Sequence, residues 1–146
     1  GMHVRMPSKC EVALCVPFVY LAQMQQLCIK SGIELGSQDV SSQESGAFTG
    51  EISATMLKDF GVRYAIVGHS ERRQFHGETD ELVANKAKAA WRAGAIAIIC
   101  VGETKDERVN GVTLKVIGKQ PTQAEHRHEY ADLYSPRMQR PRRAQR

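Results

Sequence analysis

Four short apolar runs recur along the chain: VALCV at 12–16, IELGSQDV at 33–40, RYAIVG at 63–68 and AIAIICVG at 95–102. Their starts lie roughly 20 to 30 residues apart, the length of one strand plus a crossover helix, so the chain is confined to parallel strands joined by helices. The first, third and fourth runs are continuous rather than alternating, the pattern expected of strands covered on both faces. The second is the weakest strand candidate, because Gly36, Ser37, Gln38 and Asp39 are poor strand formers.

Between the runs the hydrophobic period lengthens to that of a helix. Phe18, Leu21, Ala22, Leu27, Cys28 and Ile29 fit a helix packed on a sheet, with Gly32 just past its end. Ser53 is placed to cap a second helix in which Leu57 and Phe60 share a face before Gly61. In TDELVANKAKAAWRAG, Thr79 caps, Asp80 and Glu81 favour the positive end of the dipole, and Val83, Ala87, Ala90 and Trp91 form one stripe before Gly94. The order βαβαβαβ fits an open doubly wound sheet or a (β/α) barrel, and periodicity does not separate them. The longest connection, SSQESGAFTGEI at 41–52, is of a length that serves either as a functional or partner-contacting loop or as plain surface.

Composition narrows the function classes. With 42% hydrophobic and 25% charged residues in 146, the chain has the make-up of one globular domain. No run reaches the roughly 18 apolar residues of a membrane span, and residues 1–9 lack the apolar core of a signal peptide, so a soluble cytoplasmic protein with no membrane partner is expected. Cys10, Cys15, Cys28 and Cys100 have no zinc-type spacing and read as reduced thiols, and no metal is expected. From Pro121 onward six arginines face three acids, so +3 of the net +4 sits in the last segment, and the body offers no general nucleic-acid surface. The expected organisation is an N-terminal extension or tag scar at 1–9, one α/β unit at 10–120, and a basic disordered tail at 121–146. A salt-dependent nucleic-acid arm in that tail is the sharper reading, and a solvated charge run the plainer one.

There is no G-x-G-x-x-G, Walker A, G-x-S-x-G or H-E-x-x-H motif, which removes support for dinucleotide, P-loop, serine-hydrolase and zinc-protease chemistry. Attention falls instead on His69, which follows Gly68 at the C-terminal end of the third strand, where α/β folds place their ligands. If SERR opens a helix, the positive end of its dipole disfavours protonation of His69. A neutral imidazole there can donate a hydrogen bond to a carbonyl oxygen as negative charge develops on it. A histidine satisfied by neighbouring backbone is the alternative. His76, in a polar loop, reads as ordinary surface, while Glu71, Arg72 and Arg73 beside a strand end are expected to find partners. Glu103, at the next strand end, fits a structural ion pair or a catalytic carboxylate equally well.

Three segments, GSQDVSSQESGAFTGEIS, YAIVGHSERR and ICVGET, in this order and spacing, resemble the triosephosphate isomerase family over about residues 10–120. A neutral imidazole at a helix N-terminus is already the known electrophile of that family. The resemblance implies a (β/α)8 barrel, a homodimer, no cofactor, and interconversion of the small phosphorylated trioses dihydroxyacetone phosphate and glyceraldehyde 3-phosphate in glycolysis and gluconeogenesis. It implies that His69 is the catalytic electrophile, with Ser70 and Glu71 behind it and Glu71 matching the acid that supports the catalytic lysine. It also implies that the 42–52 loop inserts into a second subunit, with Thr49 near the neighbouring site and Glu51 pairing with the partner residue that matches Arg72.

Against the family pattern this chain begins at the second strand and departs after the fifth, giving a partial barrel of about half the usual size. The first-strand lysine, the glutamate base and the phosphate-binding loops have no match, and Glu103 does not match the base. The chain alone is therefore expected to be inactive and, with open strand edges, prone to association. A non-catalytic fragment acting through its interface loop, or a truncated or frameshifted translation, is the alternative.

Overall fold

The computed structural model describes residues 10–102 and 109–111. The 1–9 extension, Glu103 and the 121–146 tail lie outside the described residues. The elements run β1 (Ala13–Val16), a 3-10 turn (Phe18–Tyr20), α1 (Leu21–Ser31), β2 (Glu34–Ser37), α2 (Ala54–Asp59), β3 (Tyr64–Val67), α3 (Ser70–His76), α4 (Asp80–Arg92) and β4 (Ile96–Ile99). All neighbouring strands pair in parallel, and their order in the sheet is the order in the chain. That order decides between the two architectures left open by periodicity. A doubly wound sheet reverses its strand order at a switch point, whereas right-handed crossovers between sequential strands keep the helices on one face and carry the sheet around a barrel. Among the described residues the fold is α/β, four parallel strands of a partial TIM barrel.

Register explains the core. Val16, Ser37, Ala65 and Ala97 form one row across the sheet and Val67 pairs with Ile99 on the same face. The helices cover this side, so Val16, Leu35, Ala65, Val67 and Ala97 bury against Leu21, Cys28, Leu57, Val83, Ala87 and Ala90. The opposite row is Cys15, Gly36, Tyr64 and Ile96. Its glycine is required by close approach: a Cβ at Gly36 would collide with Cys15 Sγ and lie 3.2 Å from the Tyr64 carbonyl oxygen. The continuous apolar runs predicted cover on both faces. Among the described residues only the helical side is covered, and Ile98, on the other side, remains 36% exposed.

The helices carry the predicted caps with altered faces. Ser53 accepts a hydrogen bond from Met56 N at 3.3 Å and Thr79 from Leu82 N at 3.2 Å, satisfying donors that a helix start leaves free. In α1 the packed face is Leu21, Met24 and Cys28, an i, i+3, i+7 set, while Leu27 and Ile29 are exposed. The predicted inward placement of those two side chains is corrected: each sits about 100° around the helix from Cys28, and only one stripe can face the sheet. Phe60 is likewise partly exposed, because α2 ends at Asp59 and Phe60 is already its C-cap.

Candidate active site

The chain leaves β3 through Gly68, whose φ of 70° lies in the left-handed region. Only glycine takes that conformation without cost, and a Cβ there would also sit 2.7 Å from Val83 Cγ1. The resulting turn places His69 as the N-cap of α3, the helix that SERR opens. Its Nδ1 accepts a hydrogen bond from the Glu71 backbone N at 3.3 Å. A nitrogen that accepts must present a lone pair, so in this arrangement the ring proton resides on Nε2. The side chain is 46% exposed, so the ring is neither walled off nor held by two acceptors. Glu71 Oε2 stands 3.7 Å from the same Nδ1, beyond hydrogen-bond length, with its side chain 75% exposed. Ser70 opens α3 and is exposed. His76, at the end of α3, is surface as expected.

The two arginines of SERR have partners, and these reach further into the molecule than the sequence indicated. Arg73 donates from Nε to the Gly68 carbonyl at 2.7 Å, from Nη2 to the Cys100 carbonyl at 3.3 Å, and from Nη1 to Asp80 Oδ1 at 2.5 Å. Arg72 donates from Nε to Glu78 Oε1 at 2.7 Å and pairs through Nη2 with Asp39 Oδ2 at 3.0 Å. Lys86 completes this second cluster, with Nζ at 2.8 and 2.9 Å from the two oxygens of Asp39 and 2.5 Å from Glu78 Oε1. Lys86 and Glu78 are both buried, so two carboxylates and two cations balance where neither sign is tolerated alone. Burial pushes the Glu78 carboxyl up, but the hydrogen bonds and positive charges of Lys86 and Arg72 outweigh it and hold that carboxyl below its ordinary value. Glu78 Oε2 is buried with no hydrogen-bond partner among the described residues.

The 41–52 loop is tied at its base by Ser41 N donating to the Ile52 carbonyl at 2.8 Å, and to α4 by an Arg92–Glu44 pair at 2.8 Å. Thr49 and Glu51 are exposed on it. With the start of α2 it forms a cleft of about 330 Å³ that includes Gln43, Phe48, Glu51 and Thr55. The structure thus gathers His69, Ser70, Glu71 and Arg72 at the start of α3 and keeps Thr49 and Glu51 on a separate loop. Arg72, which the resemblance pairs with another subunit's acid, here engages Asp39 and Glu78 of its own chain.

Asp39, Glu78 and Lys86 went unnoticed in the sequence, although one signal was available. Lys86 lies three residues after Val83 on the buried stripe of α4, and a charged residue in core phase requires an opposite charge nearby. The described cysteines are free, and burial pushes the thiols of Cys15, Cys28 and Cys100 up. Among the described residues no cluster of three or more His, Cys, Asp or Glu is placed to hold a metal ion, and no helix is long and apolar enough to cross a membrane.

A family model described as triosephosphate isomerase matches residues 2–135. The chain belongs to the triosephosphate isomerase family. Among similar curated proteins, the triosephosphate isomerase of Albidiferax ferrireducens is 61% identical over 113 residues, covering 77% of this chain and 46% of that protein. The Paracidovorax citrulli triosephosphate isomerase is 54% identical over 120 residues, covering 82% and 48%. The crystal structure of triosephosphate isomerase from Bartonella henselae superimposes with a TM-score of 0.76 at 41% identity, covering 81% of this chain and 50% of that one. The chain spans about half the length of the curated triosephosphate isomerases it matches. The family match also extends beyond 10–120, the stretch whose motifs carry the resemblance, on both sides.

Proposed function

We propose that this chain contributes the carbonyl-polarising half of a triosephosphate isomerase site, acting in the cytoplasm on dihydroxyacetone phosphate and glyceraldehyde 3-phosphate without a cofactor. The observation that supports this most is the hydrogen bond from the Glu71 N–H to His69 Nδ1, which on this reading leaves the exposed ring to offer Nε2–H at a strand's C-terminal edge. Such a donor stabilises the enediolate oxygen more than the ground-state carbonyl, which is what lowers a barrier. Ser70 and Glu71 set the first turn of α3 behind it. Thr49, Glu51 and Arg72 belong, on this reading, to a homodimer interface formed by the 41–52 loop.

Among the described residues none fills the role of the base that removes the carbon-bound proton, so the 146-residue chain assayed alone has little turnover. Mixing it with a polypeptide carrying the other half of the Albidiferax relative restores isomerisation in a coupled assay for glyceraldehyde 3-phosphate. His69→Gln in that mixture reduces turnover about 10²- to 10³-fold, the loss typical of one oxyanion donor. Full activity of the His69→Gln mixture, or native-like turnover by the chain alone, overturns the assignment.

A further inference from the structure

We propose that Arg73 is a positioning residue that sets the direction of the His69 ring by holding the backbone on both sides of it. The inference rests on the reading of His69 as the carbonyl polariser. The Gly68 carbonyl and the His69 nitrogen belong to one planar peptide, so an anchor on Gly68 O fixes the plane from which His69 departs. Arg73 Nε supplies that anchor at 2.7 Å. The next peptide plane carries the His69 carbonyl, which accepts from the Arg73 backbone N at 3.1 Å and from Arg72 N at 2.9 Å. One residue therefore grips both peptides that flank the imidazole.

The remaining guanidinium contacts give the grip a fixed frame. Nη2 reaches the Cys100 carbonyl just beyond β4 at 3.3 Å, and Nη1 is neutralised by Asp80 in the first turn of α4 at 2.5 Å. The three acceptors belong to the end of β3, the end of β4 and the start of α4, so the His69 backbone is referenced to three rigid elements rather than to its own short helix. A planar fork with several donors can satisfy them together, whereas a lysine ammonium on a flexible stem is a point charge with no such geometry. The side chain is 19% exposed, and its Nη2 lies 3.0 Å from where a Gly68 Cβ would stand, so the fork and the glycine turn occupy the space together.

The test uses the full 146-residue chain labelled with ¹⁵N and ¹³C. In the wild type, a scalar coupling across the hydrogen bond from Arg73 Nε–H to the Gly68 carbonyl carbon is expected, together with separate His69 signals for an unprotonated Nδ1 and a protonated Nε2. Arg73→Lys is expected to merge those two signals into the averaged pair of a ring exchanging between tautomers. Thr79→Ala, which weakens α4 by loss of its cap and leaves Arg73 in place, is expected to keep them apart. Absence of the wild-type coupling overturns the proposal, and this holds even if Arg73→Lys fails to fold. Unmerged His69 signals in Arg73→Lys, or merged signals in Thr79→Ala, also overturn it while leaving the polariser reading intact. Merged signals in the wild type itself overturn that reading and the positioning role with it.

Discussion

Lys86→Met removes the ammonium at the centre of the buried charge cluster and keeps a side chain of similar length. Three hydrogen bonds disappear, to both Asp39 oxygens and to Glu78 Oε1, at a site where the lysine side chain is only 5% exposed. Arg72 alone then faces two carboxylates. Breaking a buried ion pair from one side costs about 3–5 kcal/mol, and because Arg72 still contacts both acids the lower end, about 3 kcal/mol, is expected. For a chain of this size that corresponds to a fall in melting temperature of roughly 6–12 °C. Thermal melts followed by far-ultraviolet circular dichroism at pH 7 measure it. Without the ammonium, one hydrogen bond and one positive charge that lower the Glu78 carboxyl are gone, so its pKa moves up. The stabilisation that the wild type draws from the ionised carboxylate is lost as it protonates, so the gap between variant and wild type narrows as the pH is lowered. Adding Glu78→Gln to Lys86→Met removes the stranded charge and recovers part of the loss. A Lys86→Met melt within about 2 °C of wild type, or a double variant whose losses simply add, would refute the balance of charges described here.

Four further outcomes follow from the same contacts. Because Lys86 and Arg72 hold the Glu78 carboxyl below its ordinary value, its contribution is complete above the unfolded pKa of about 4.3 and is lost as pH falls through the lower folded value. The urea midpoint of the wild type should therefore drop on that acid limb and converge on that of Glu78→Gln, and a pH-independent difference between the two contradicts it. Gly68→Ala forces a side chain into the left-handed region against Val83, at a cost of about 2 kcal/mol or more, and an unchanged melt counts against the turn as described. Ser53→Ala and Thr79→Ala each remove a capping bond worth about 1 kcal/mol, and their effects should add because they lie on different helices. Toward a thiol reagent the exposed Cys10 should react first and the buried Cys28, whose thiol burial and Glu34 push up, much more slowly; faster labelling of Cys28 would contradict its placement.

The parts legible in the sequence were those fixed by local chemistry. Cap residues at Ser53 and Thr79 and the four apolar runs each depend on a few neighbouring residues. The choice between doubly wound sheet and barrel was not legible in the period, because a strand's hydrophobic pattern does not record which strand lies beside it. Leu27 and Ile29 misled because apolar character alone does not say which side of α1 faces the sheet, and Leu21, Met24 and Cys28 already fill that side. At the site, His69 stood out through its place after a strand-ending glycine. The ion pairs and hydrogen bonds beside it did not: Asp39 and Lys86 are 47 residues apart, Arg73 and Cys100 are 27 apart, and no local spacing announces contacts between residues so far apart in the chain.

On the proposed function, His69 donates Nε2–H to a substrate carbonyl. The infrared stretch of that carbonyl, recorded for dihydroxyacetone phosphate bound to the chain mixed with the other half of the Albidiferax relative, tests this most directly. The stretch should shift to lower frequency than in free substrate, and His69→Gln should return it most of the way. A bound carbonyl at the free frequency in wild type, or an equal shift in the variant, would mean that this imidazole does not polarise it.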